Sequence, residues 1–429
     1  MFVSGGLDGV PGKRCDTKAT SYFFLRQMSR SNAAATRARE SLSNTTASGA
    51  CLWAVGALLV TLAAPLSARG AGPYYPGPGE QWQKRAPDAV GMDAAKVAEA
   101  VRFALTHEVN WSRQLQTQIE KDVAQEPYPQ VLGETKERGG PAGMIVRRGY
   151  IAAEWGDVNR VDMSFSLAKS YLSTLAGLAI DRGLIDSVHD PMWKYVQDGA
   201  FDSPHNSKIT WHMMLNQTSE WEGAVWDKPD LADRRRGYGR SLEEPGAFWE
   251  YNDVRVNRLA LALLKVWNKP LPQVLKEQVM DPIGASDTWV WHGYRNSYVQ
   301  LNGRVVQSVS GGSHWGGGLW ASTRDHARFG YLFLRNGAWD GHQIVSRRWV
   351  QMAATPCDIA PQYGYLWWLN SGRATVPSAP ESSFFALGSG GNMIWVDRDH
   401  DLLVVTRWLE FAKLDAFAKL VLASLRSER

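Results

Sequence analysis

The chain has 429 residues, of which 44% are hydrophobic and 21% are charged, so it can bury a large core and is not an intrinsically disordered protein. Its formal charge of +4 comes from the N-terminal part: residues 1–72 hold eight Lys/Arg and three Asp/Glu, whereas the remaining residues hold 39 and 40. The body of the protein is therefore almost neutral, which argues against nucleic acid as a partner.

The first segment, residues 1–72, is predicted to be a leader. Within it, residues 51–66 form an uncharged apolar stretch with arginines before it and small residues after it. This pattern is typical of a signal peptide and predicts export, to the periplasm or beyond, with a retained N-terminal anchor as the alternative. Two of the three cysteines lie in the leader, and we expect the remaining one, Cys357, to be a small buried hydrophobe.

The folded part is predicted to begin after a linker. Residues 73–87 are rich in Gly and Pro, which indicates an extended segment. Residues 91–108 then carry apolar side chains at helical spacing behind Asp93, which predicts an amphipathic helix capped by that residue. Two short apolar runs in residues 142–157 flank an Arg-Arg-Gly turn and predict a β-hairpin.

The stretch from Asp162 to Gly183 carries the main chemical signal. Its apolar residues recur at helical spacing, and Gly183 stands where a C-terminal cap is expected. Ser166 lies at the mouth of this helix, and Lys169 lies on the same face one turn later, so its amine can reach the serine hydroxyl. A lysine can accept the serine proton only if burial, nearby positive charge or the helix dipole lowers its pKa. The spacing alone is weak, and an exposed lysine beside a helix-start serine is the alternative interpretation.

The rest of the chain predicts an α+β fold. Further helices are expected at 171–182, 209–216, 253–267, 271–280, 322–337, 346–354 and 411–425, and two strands within 383–408. Strands at both ends with helices between them predict one antiparallel sheet built from both chain ends and flanked by helices. Residues 88–165 and 311–429 would form this α/β part, and residues 166–310 an inserted all-helical part that carries the nucleophile helix. A substrate cleft is expected where the two parts meet.

A glycine-rich stretch, residues 311–318, is predicted to be a flexible loop that lines this cleft, with His314 and Trp315 beside the substrate. The stretch lacks the phosphate-loop pattern, and the nine histidines of the chain are scattered, so neither a nucleotide, an organic cofactor nor a metal site is predicted. The sequence also lacks Gly-x-Ser-x-Gly and His-Glu-x-x-His, which argues against an α/β-hydrolase and a zinc protease. Twenty tryptophans favour aromatic walls that suit an apolar substrate.

The run "SFSLAKSYLSTLAGLAIDRGLI" at 164–185 resembles the nucleophile helix of the serine β-lactamase and penicillin-binding-protein superfamily. The resemblance is strongest to class C β-lactamase-related esterases and amidases, including nylon-oligomer hydrolases. It continues in the family's order through "KITWHMMLNQTSEW" (208–221), "WEYNDVRVNRLALALL" (249–264), "DPIGASDTW" (281–289), "SGGSHWGGGLWASTRDHARFGYL" (310–332) and "LGSGGNMIWVDRDHDLLVV" (387–405).

This resemblance implies further site residues. The family's Tyr-x-Asn motif matches Tyr251 to Asp253, with Asp in place of the final Asn, and implies that Tyr251 completes the proton relay. The Asp at 253 would place a carboxylate near Lys169 or the substrate amide. An aromatic anchor before the 253–267 helix is the alternative role for Tyr251. The family's third motif, a basic residue followed by Thr or Gly and then Gly, falls on Ser389, Gly390 and Gly391, and the basic residue is missing. The amides of Asn392 and Ser166 would then form the oxyanion hole, whereas a bulge at a strand start is the alternative reason for the glycines.

Three functions follow as hypotheses. The first is a serine hydrolase that acts through an acyl-Ser166 intermediate on a small ester or amide. The substrate is expected to be neutral, because the basic residue that holds a substrate carboxylate in the family is missing here. The second is a cell-wall D-Ala-D-Ala peptidase or transpeptidase, or a weak β-lactamase. The third is a binding module of the penicillin-recognition type that has lost catalysis. The expected partner is a small-molecule substrate, and the sequence does not predict an oligomeric state.

Overall fold

The computed structural model describes residues 73–426, so the predicted leader lies outside the described residues. The segment predicted as a linker packs on the folded part: the indole of Trp82 donates to Gly149 O at 2.8 Å, and the guanidinium of Arg328 donates to Gly79 O at 2.6 Å. No helix within residues 73–426 combines the length and the apolar character that crossing a membrane requires.

Nine α-helices form in the described residues. In chain order they are α1 (Ala94–Thr106), α2 (Leu115–Val123), α3 (Ala168–Asp181), α4 (Trp211–Leu215), α5 (Asp253–Trp267), α6 (Leu271–Leu275), α7 (Thr323–Leu334), α8 (Arg347–Ala353) and α9 (Leu414–Ala423). The predicted helices are confirmed except for their ends, and Asp93 caps α1 as expected, since its side chain accepts from Lys96 N at 3.0 Å. The helix α2 lies in a region whose sequence carries no clear periodicity.

The strands in chain order are β1 (Ala142–Arg147), β2 (Tyr150–Trp155), β3 (Asp162–Met163), β4 (Ala224–Val225), β5 (Lys228–Pro229), β6 (Val290–Leu301), β7 (Arg304–Val309), β8 (Gly318–Ala321), β9 (Ala338–Trp339), β10 (His342–Gln343), β11 (Trp368–Leu369), β12 (Phe384–Gly388), β13 (Asn392–Asp397) and β14 (Leu402–Arg407). The main sheet has the order β11-β12-β13-β14-β1-β2 and is antiparallel throughout. The N-terminal hairpin β1–β2 therefore pairs with the C-terminal strand β14, which confirms the predicted sheet from both chain ends.

Helices cover both faces of this sheet. Gly330 of α7 lies on one face, where a Cβ would be 2.5 Å from Leu403 and 2.6 Å from Ile394. On the other face Phe417 of α9 packs against Trp155 of β2, with ring centroids 6.0 Å apart. Side chains alternate between faces along each strand, so the all-buried strands β1, β13 and β14 form the core between the two helical layers.

One part of the sequence prediction is wrong in secondary structure. Residues 166–310 were expected to be all helical, but β6 and β7 form a hairpin there, and β6 also pairs with β8. The hairpin turns at Asn302 and Gly303, whose φ values are +52° and +73°. Asn-Gly between runs of β-branched residues favours this type of turn, so the sequence contained a signal for the hairpin.

The nucleophile helix is buried almost along its whole length. A 3-10 turn, Phe165–Leu167, leads into α3, and every residue of α3 from Ala168 to Ala179 is buried. Gly183 has φ +67° and its amide donates to Ile180 O at 3.0 Å, as expected for a C-terminal cap. Gly177 allows the ring of Trp349 to lie directly on the helix, since a Cβ there would be 2.3 Å from the ring.

We expect Gly177→Ala to lower the free energy of unfolding by about 1–2 kcal/mol, because forced repacking of the buried indole outweighs the gain in helix propensity. Denaturant titration measures this change. Gly239→Ala is the matched control, since no atom lies within 4 Å of a Cβ at that position. Equal stability of the two variants would contradict the packing argument.

Candidate active site

The turn before α3 presents Ser166 to solvent. Ser166 is half-buried, whereas Phe165 and Leu167 on either side of it are buried. Phe165 has φ +51°, a conformation that costs energy in a non-glycine residue. Its ring is held edge-on by Trp111 and Trp408, with centroid distances of 5.7 and 6.3 Å. Aromatic packing on Phe165 therefore maintains the strained turn that exposes the serine hydroxyl.

The ammonium of Lys169 lies beside this hydroxyl, as the sequence predicts. Its Nζ donates to Ser166 Oγ at 2.8 Å and to Asp253 Oδ1 at 2.6 Å, and the side chain is 2% exposed. Burial by itself lowers the pKa of Lys169. The Asp253 carboxylate and Tyr251 raise the pKa by more than burial lowers it, so the pKa lies above the ordinary value. The expectation of a lysine with a lowered pKa is therefore wrong, because the Asp253 carboxylate, which the sequence predicted near Lys169 or the substrate amide, pairs with the ammonium. Lys169 is an ammonium donor to Ser166 Oγ at rest.

The carboxylate of Asp253 serves two cations. Its second oxygen accepts from Arg235 Nη2 at 3.0 Å, and its backbone amide donates to Asp233 at 2.6 Å. Burial raises the pKa of Asp253, whereas Lys169, Arg235 and His314 lower the pKa more strongly, so Asp253 is ionised. The departure from the family's Tyr-x-Asn motif thus introduces the anion on which both cations depend.

Tyr251 lies on the same side of the site. Its ring centroid is 4.6 Å from Lys169 Nζ and 4.8 Å from the guanidinium carbon of Arg235, and the ring stacks on Trp368 at 5.6 Å. The next residue, Asn252, caps α5 by accepting from Arg255 N at 3.1 Å. The aromatic packing fits the role of Tyr251 as an anchor, and the two adjacent cations fit its role in a proton relay, so the surroundings of Tyr251 are compatible with both.

The glycine-rich loop at 311–318 covers the ion pair. A Cβ at Gly312 would be 1.7 Å from Asp253 Oδ1 and 2.2 Å from Lys169 Nζ. Nε2 of His314 donates to Glu126 Oε1 at 2.7 Å. Burial lowers the pKa of His314, but Asp233 and Glu126 raise this pKa by more, so that it lies above the ordinary value. Trp315 is fully buried, and its indole donates to Glu126 at 3.1 Å. His314 thus joins the charged network, whereas Trp315 packs inside the protein and offers no surface to a substrate.

The end of β12 lies on the nucleophile turn. A Cβ at Gly388 would be 2.3 Å from Ser164 O and 3.3 Å from Leu167 N, and the next residue, Ser389, is half-buried like Ser166. Gly390 and Gly391 form the turn to β13 with φ values of +81° and +74°. The structural alternative predicted for these glycines was a bulge at a strand start; they form instead the tight turn that joins β12 to β13.

Asn392 is fully buried across the hairpin from Gly388. Its side chain donates to Ser389 O at 2.6 Å and accepts from Arg407 at 2.7 Å. Arg407 also donates to Ala321 O and Met163 O, both at 2.9 Å, and so links β14 to β8 and β3. Gly388, at the end of β12, contacts the nucleophile turn. Asn392 begins the next strand, β13, and its side chain stabilises the hairpin between the two strands.

Sequence reasoning missed a buried chain of hydrogen bonds behind the nucleophile. His326 of α7 contacts Ser164 Oγ through Nε2 and the Tyr171 hydroxyl through Nδ1, both at 2.8 Å. Burial, with a smaller contribution from Arg407, holds the pKa of His326 well below its ordinary value. A neutral imidazole can donate to one hydroxyl and accept from the other, so it fixes the residue two positions before Ser166. Arg235 was also missed, because a run of arginines at 234–236 predicts only a solvated surface.

Asp233, Asp253 and His314 are the one grouping of three potential metal ligands among residues 73–426, with ligand atoms within 4.8 Å of one another. The two carboxylates already bind Arg235, and Asp253 also binds Lys169. A divalent ion would add charge beside two fixed cations, so the donor set does not fit a metal.

Two surface cavities of about 310 and 330 Å³ lie elsewhere, lined by residues such as Phe384 and Pro356 in one case and His189 and Trp349 in the other. Neither is lined by Ser166. Convergent chemistry, and not cavity size, therefore identifies the candidate active site.

Comparison with known families agrees with this arrangement: residues 161–407, more than half of the chain, match the model of the family described as Beta-lactamase. The chain belongs to the beta-lactamase family. The matched range includes Ser166, Lys169, Tyr251 and Ser389. Membership, together with the placement of Ser166, supports a hydrolase of the serine type.

Individual beta-lactamase-family relatives are distant. An uncharacterized protein of Alkalihalophilus pseudofirmus is 24% identical over 275 residues, which cover 59% of this chain and 74% of that protein. Simvastatin synthase of Aspergillus terreus has a similar structure, with a TM-score of 0.53, 15% identity and coverage of 78% of this chain and 98% of that chain. A penicillin-binding protein homolog of Caulobacter crescentus has a TM-score of 0.50, 13% identity and coverage of 74% and 100%. At these identities the two structures show a shared fold.

We expect Asp253→Asn to lower the free energy of unfolding at pH 7 by about 3–5 kcal/mol, since it leaves the ammonium of Lys169 buried without its anion. The pair stabilises the fold between the ordinary pKa values of Asp and Lys, about 3.9 and 10.4. Its contribution is lost as pH falls through the lowered pKa of Asp253 or rises through the raised pKa of Lys169. Denaturant titrations at pH 7 and below pH 4 should therefore show a difference from wild type that shrinks in acid.

Asp287→Asn is the control for this prediction, because it breaks a surface pair with Lys276 in which the Asp side chain is 84% exposed. Its expected cost is small, because solvent screens this exposed pair. A loss of similar size in both variants, or a difference for Asp253→Asn that does not depend on pH, would contradict the role given to the buried pair.

Proposed function

We propose that the protein is an esterase or amidase that forms an acyl-Ser166 intermediate with a small, neutral and apolar substrate. The observation that carries this proposal is the contact of Lys169 Nζ with Ser166 Oγ at 2.8 Å, with the Tyr251 ring 4.6 Å from the same ammonium. A nucleophile, a fixed cation and a candidate base therefore converge at a half-buried serine.

In the acylation step Tyr251 acts as the base: its phenolic oxygen accepts the proton of Ser166 while Oγ attacks the substrate carbonyl carbon. Lys169 remains an ammonium and stabilises the negative charge that develops at Oγ and at the phenol. The tetrahedral intermediate then collapses, the carbon–oxygen or carbon–nitrogen bond to the leaving group breaks, and the phenol of Tyr251 returns the proton to that group. Water completes the cycle by the same proton transfers in reverse order, which releases the acid and restores Ser166.

The oxyanion requires two amide donors beside Ser166. The packing of Gly388 on the turn at Ser164 and Leu167 favours the amide of the following residue, Ser389, as the partner of the Ser166 amide. This assignment replaces Asn392, which lies across the hairpin and braces it through Arg407.

The preference for a neutral substrate follows from the charges at the site. Lys169 and Arg235 are each paired with a buried carboxylate, so neither is free to bind a substrate carboxylate. Ser389 stands where the family's basic residue is expected. Trp111 is half-buried beside the nucleophile turn, 3.2 Å from a Cβ placed on Gly390, and gives the entrance an aromatic surface. These features favour an uncharged acyl or alkyl group over a peptide terminus or a β-lactam carboxylate.

We expect a fluorophosphonate probe to label the wild-type protein and to leave Ser166→Ala unlabelled, because the probe requires an activated serine hydroxyl. Ser170→Ala is the matched control: this serine is one turn further along the same helix, and its hydroxyl donates to Leu366 O at 2.9 Å. Equal labelling of wild type and Ser166→Ala would refute the proposal. Absence of labelling in wild type, with binding of labelled penicillin retained, would indicate a binding module or a peptidase-type site.

We expect Tyr251→Phe to lower kcat/KM for short-chain nitrophenyl esters by about 10²–10⁴-fold, because the ring and its packing remain but the proton relay is lost. Steady-state kinetics measure this loss. Tyr363→Phe is the control, since Tyr363 is a buried neighbour at a centroid distance of 6.0 Å from Tyr251. Similar losses in both variants would show that the effect comes from packing and not from the hydroxyl of Tyr251.

A further inference from the structure

We infer that Arg235 is the second cation acting on Tyr251, and that it supplies from the helical side the positive charge that Ser389 does not supply from the sheet. This inference rests on the proposed function, in which Tyr251 is the base. It concerns a positioning residue whose effect on the reaction passes through Tyr251.

The guanidinium of Arg235 lies close to the phenol ring and at a fixed orientation. Its carbon is 4.8 Å from the ring centroid of Tyr251, nearly the same distance as Lys169 Nζ at 4.6 Å. The side chain is only 21% exposed, so solvent screens its charge less than that of a surface arginine. Two cations thus contact the ring of one candidate base.

Three bonds to carboxylates hold the guanidinium in this position. Nε and Nη2 donate to the two oxygens of Asp233 at 2.8 and 3.1 Å, and Nη2 also donates to Asp253 at 3.0 Å. Asp233 is itself fixed, because the backbone amide of Asp253 donates to it at 2.6 Å. A cation restrained in this way is preorganised and requires no rearrangement when the phenol loses its proton.

The charges around Tyr251 balance only when Arg235 is present. Lys169 and Arg235 offset Asp253 and Asp233; Tyr363 also interacts with Tyr251 and is neutral, since burial holds its pKa well above the ordinary value. His314 and Glu126 lie one step further out, beyond Asp233. Removal of Arg235 would leave two carboxylates and one ammonium, a negative excess that opposes the formation of a third anion at the phenol.

The pH–rate profile distinguishes this role from a purely structural one. We expect Arg235→Gln to move the acidic limb of kcat/KM for a nitrophenyl ester to higher pH by about one unit, and so to lower kcat/KM roughly tenfold at pH values below the limb. Arg235→Lys keeps the charge and should leave the limb near its wild-type position. Asp233→Asn removes a negative charge and should move the limb in the opposite direction, towards lower pH.

Arg236→Gln is the matched control. Arg236 is the exposed neighbour of Arg235, and its guanidinium lies over Phe248 and Trp249 at 5.3 and 5.6 Å. Its profile should overlay that of wild type. A loss in Arg235→Gln by one factor at every pH, or shifts of the same sign in Arg235→Gln and Asp233→Asn, would overturn the inference.

Two further measurements keep the test decisive. If Arg235→Gln does not fold, the matter is still decided by Arg235→Lys, which should keep the limb at its wild-type position, and by Asp233→Asn, which should move it to lower pH. The ultraviolet absorbance of tyrosinate, taken as the difference between each variant and the same variant carrying Tyr251→Phe, follows the phenol without any substrate. If the fluorophosphonate probe does not label Ser166 but the tyrosinate titration shifts in the Arg235 variants, the proposed function alone is refuted. If the probe labels Ser166 but the titration does not shift, the role of Arg235 alone is refuted.

Discussion

The buried pair of Lys169 and Asp253, 2.6 Å apart, is the interaction on which the rest of the site depends. An unpaired ammonium inside a protein loses its proton or destabilises the fold, and an unpaired carboxylate gains a proton or destabilises the fold. Paired, they keep a positive charge beside Ser166 and Tyr251. Three contacts hold this pair in place. Gly312 allows the glycine-rich loop to lie against both groups, Arg235 donates to the second oxygen of Asp253, and Asn252 caps the helix that Asp253 begins.

The sheet and the helices contribute differently to the site. The sheet supplies rigid backbone: Arg407 joins β14 to β8 and β3, and Gly388 brings β12 against the nucleophile turn. The helical region supplies the charged and proton-carrying groups: Lys169 in α3, Asp253 at the start of α5, and Tyr251 just before α5. His326 connects the two, since α7 packs on the sheet while its imidazole holds Ser164 next to the nucleophile. The rigid backbone of the sheet and the proton-carrying side chains of the helical region therefore lie on either side of Ser166.

Local patterns in the sequence predicted the local structure well. Helical spacing located α3 and placed Lys169 over Ser166, and the ordered sequence blocks indicated the family and the sheet from both chain ends. The hairpin β6–β7 was predictable from Asn302-Gly303 but was absorbed into a region expected to be helical. In contrast, the raised pKa of Lys169 and the position of Arg235 depend on contacts between residues 169, 235 and 253, which are distant in the chain. The family motif placed the Asp253 carboxylate near Lys169 or the substrate amide, but periodicity and motif spacing carry no information on Arg235 or on the net effect of these contacts on the pKa of Lys169.

Asp253 uses one oxygen for Lys169 and the other for Arg235, and this division constrains how the sequence can vary. An asparagine at this position could accept from only one of the two cations, and its amide nitrogen would then face the other. Loss of the carboxylate at 253 would leave the buried ammonium of Lys169 without its anion whether or not Arg235 is present, so position 253 is expected to keep an acidic residue. A cation on the sheet could replace only Arg235, and it would have to be gained before Arg235 was lost.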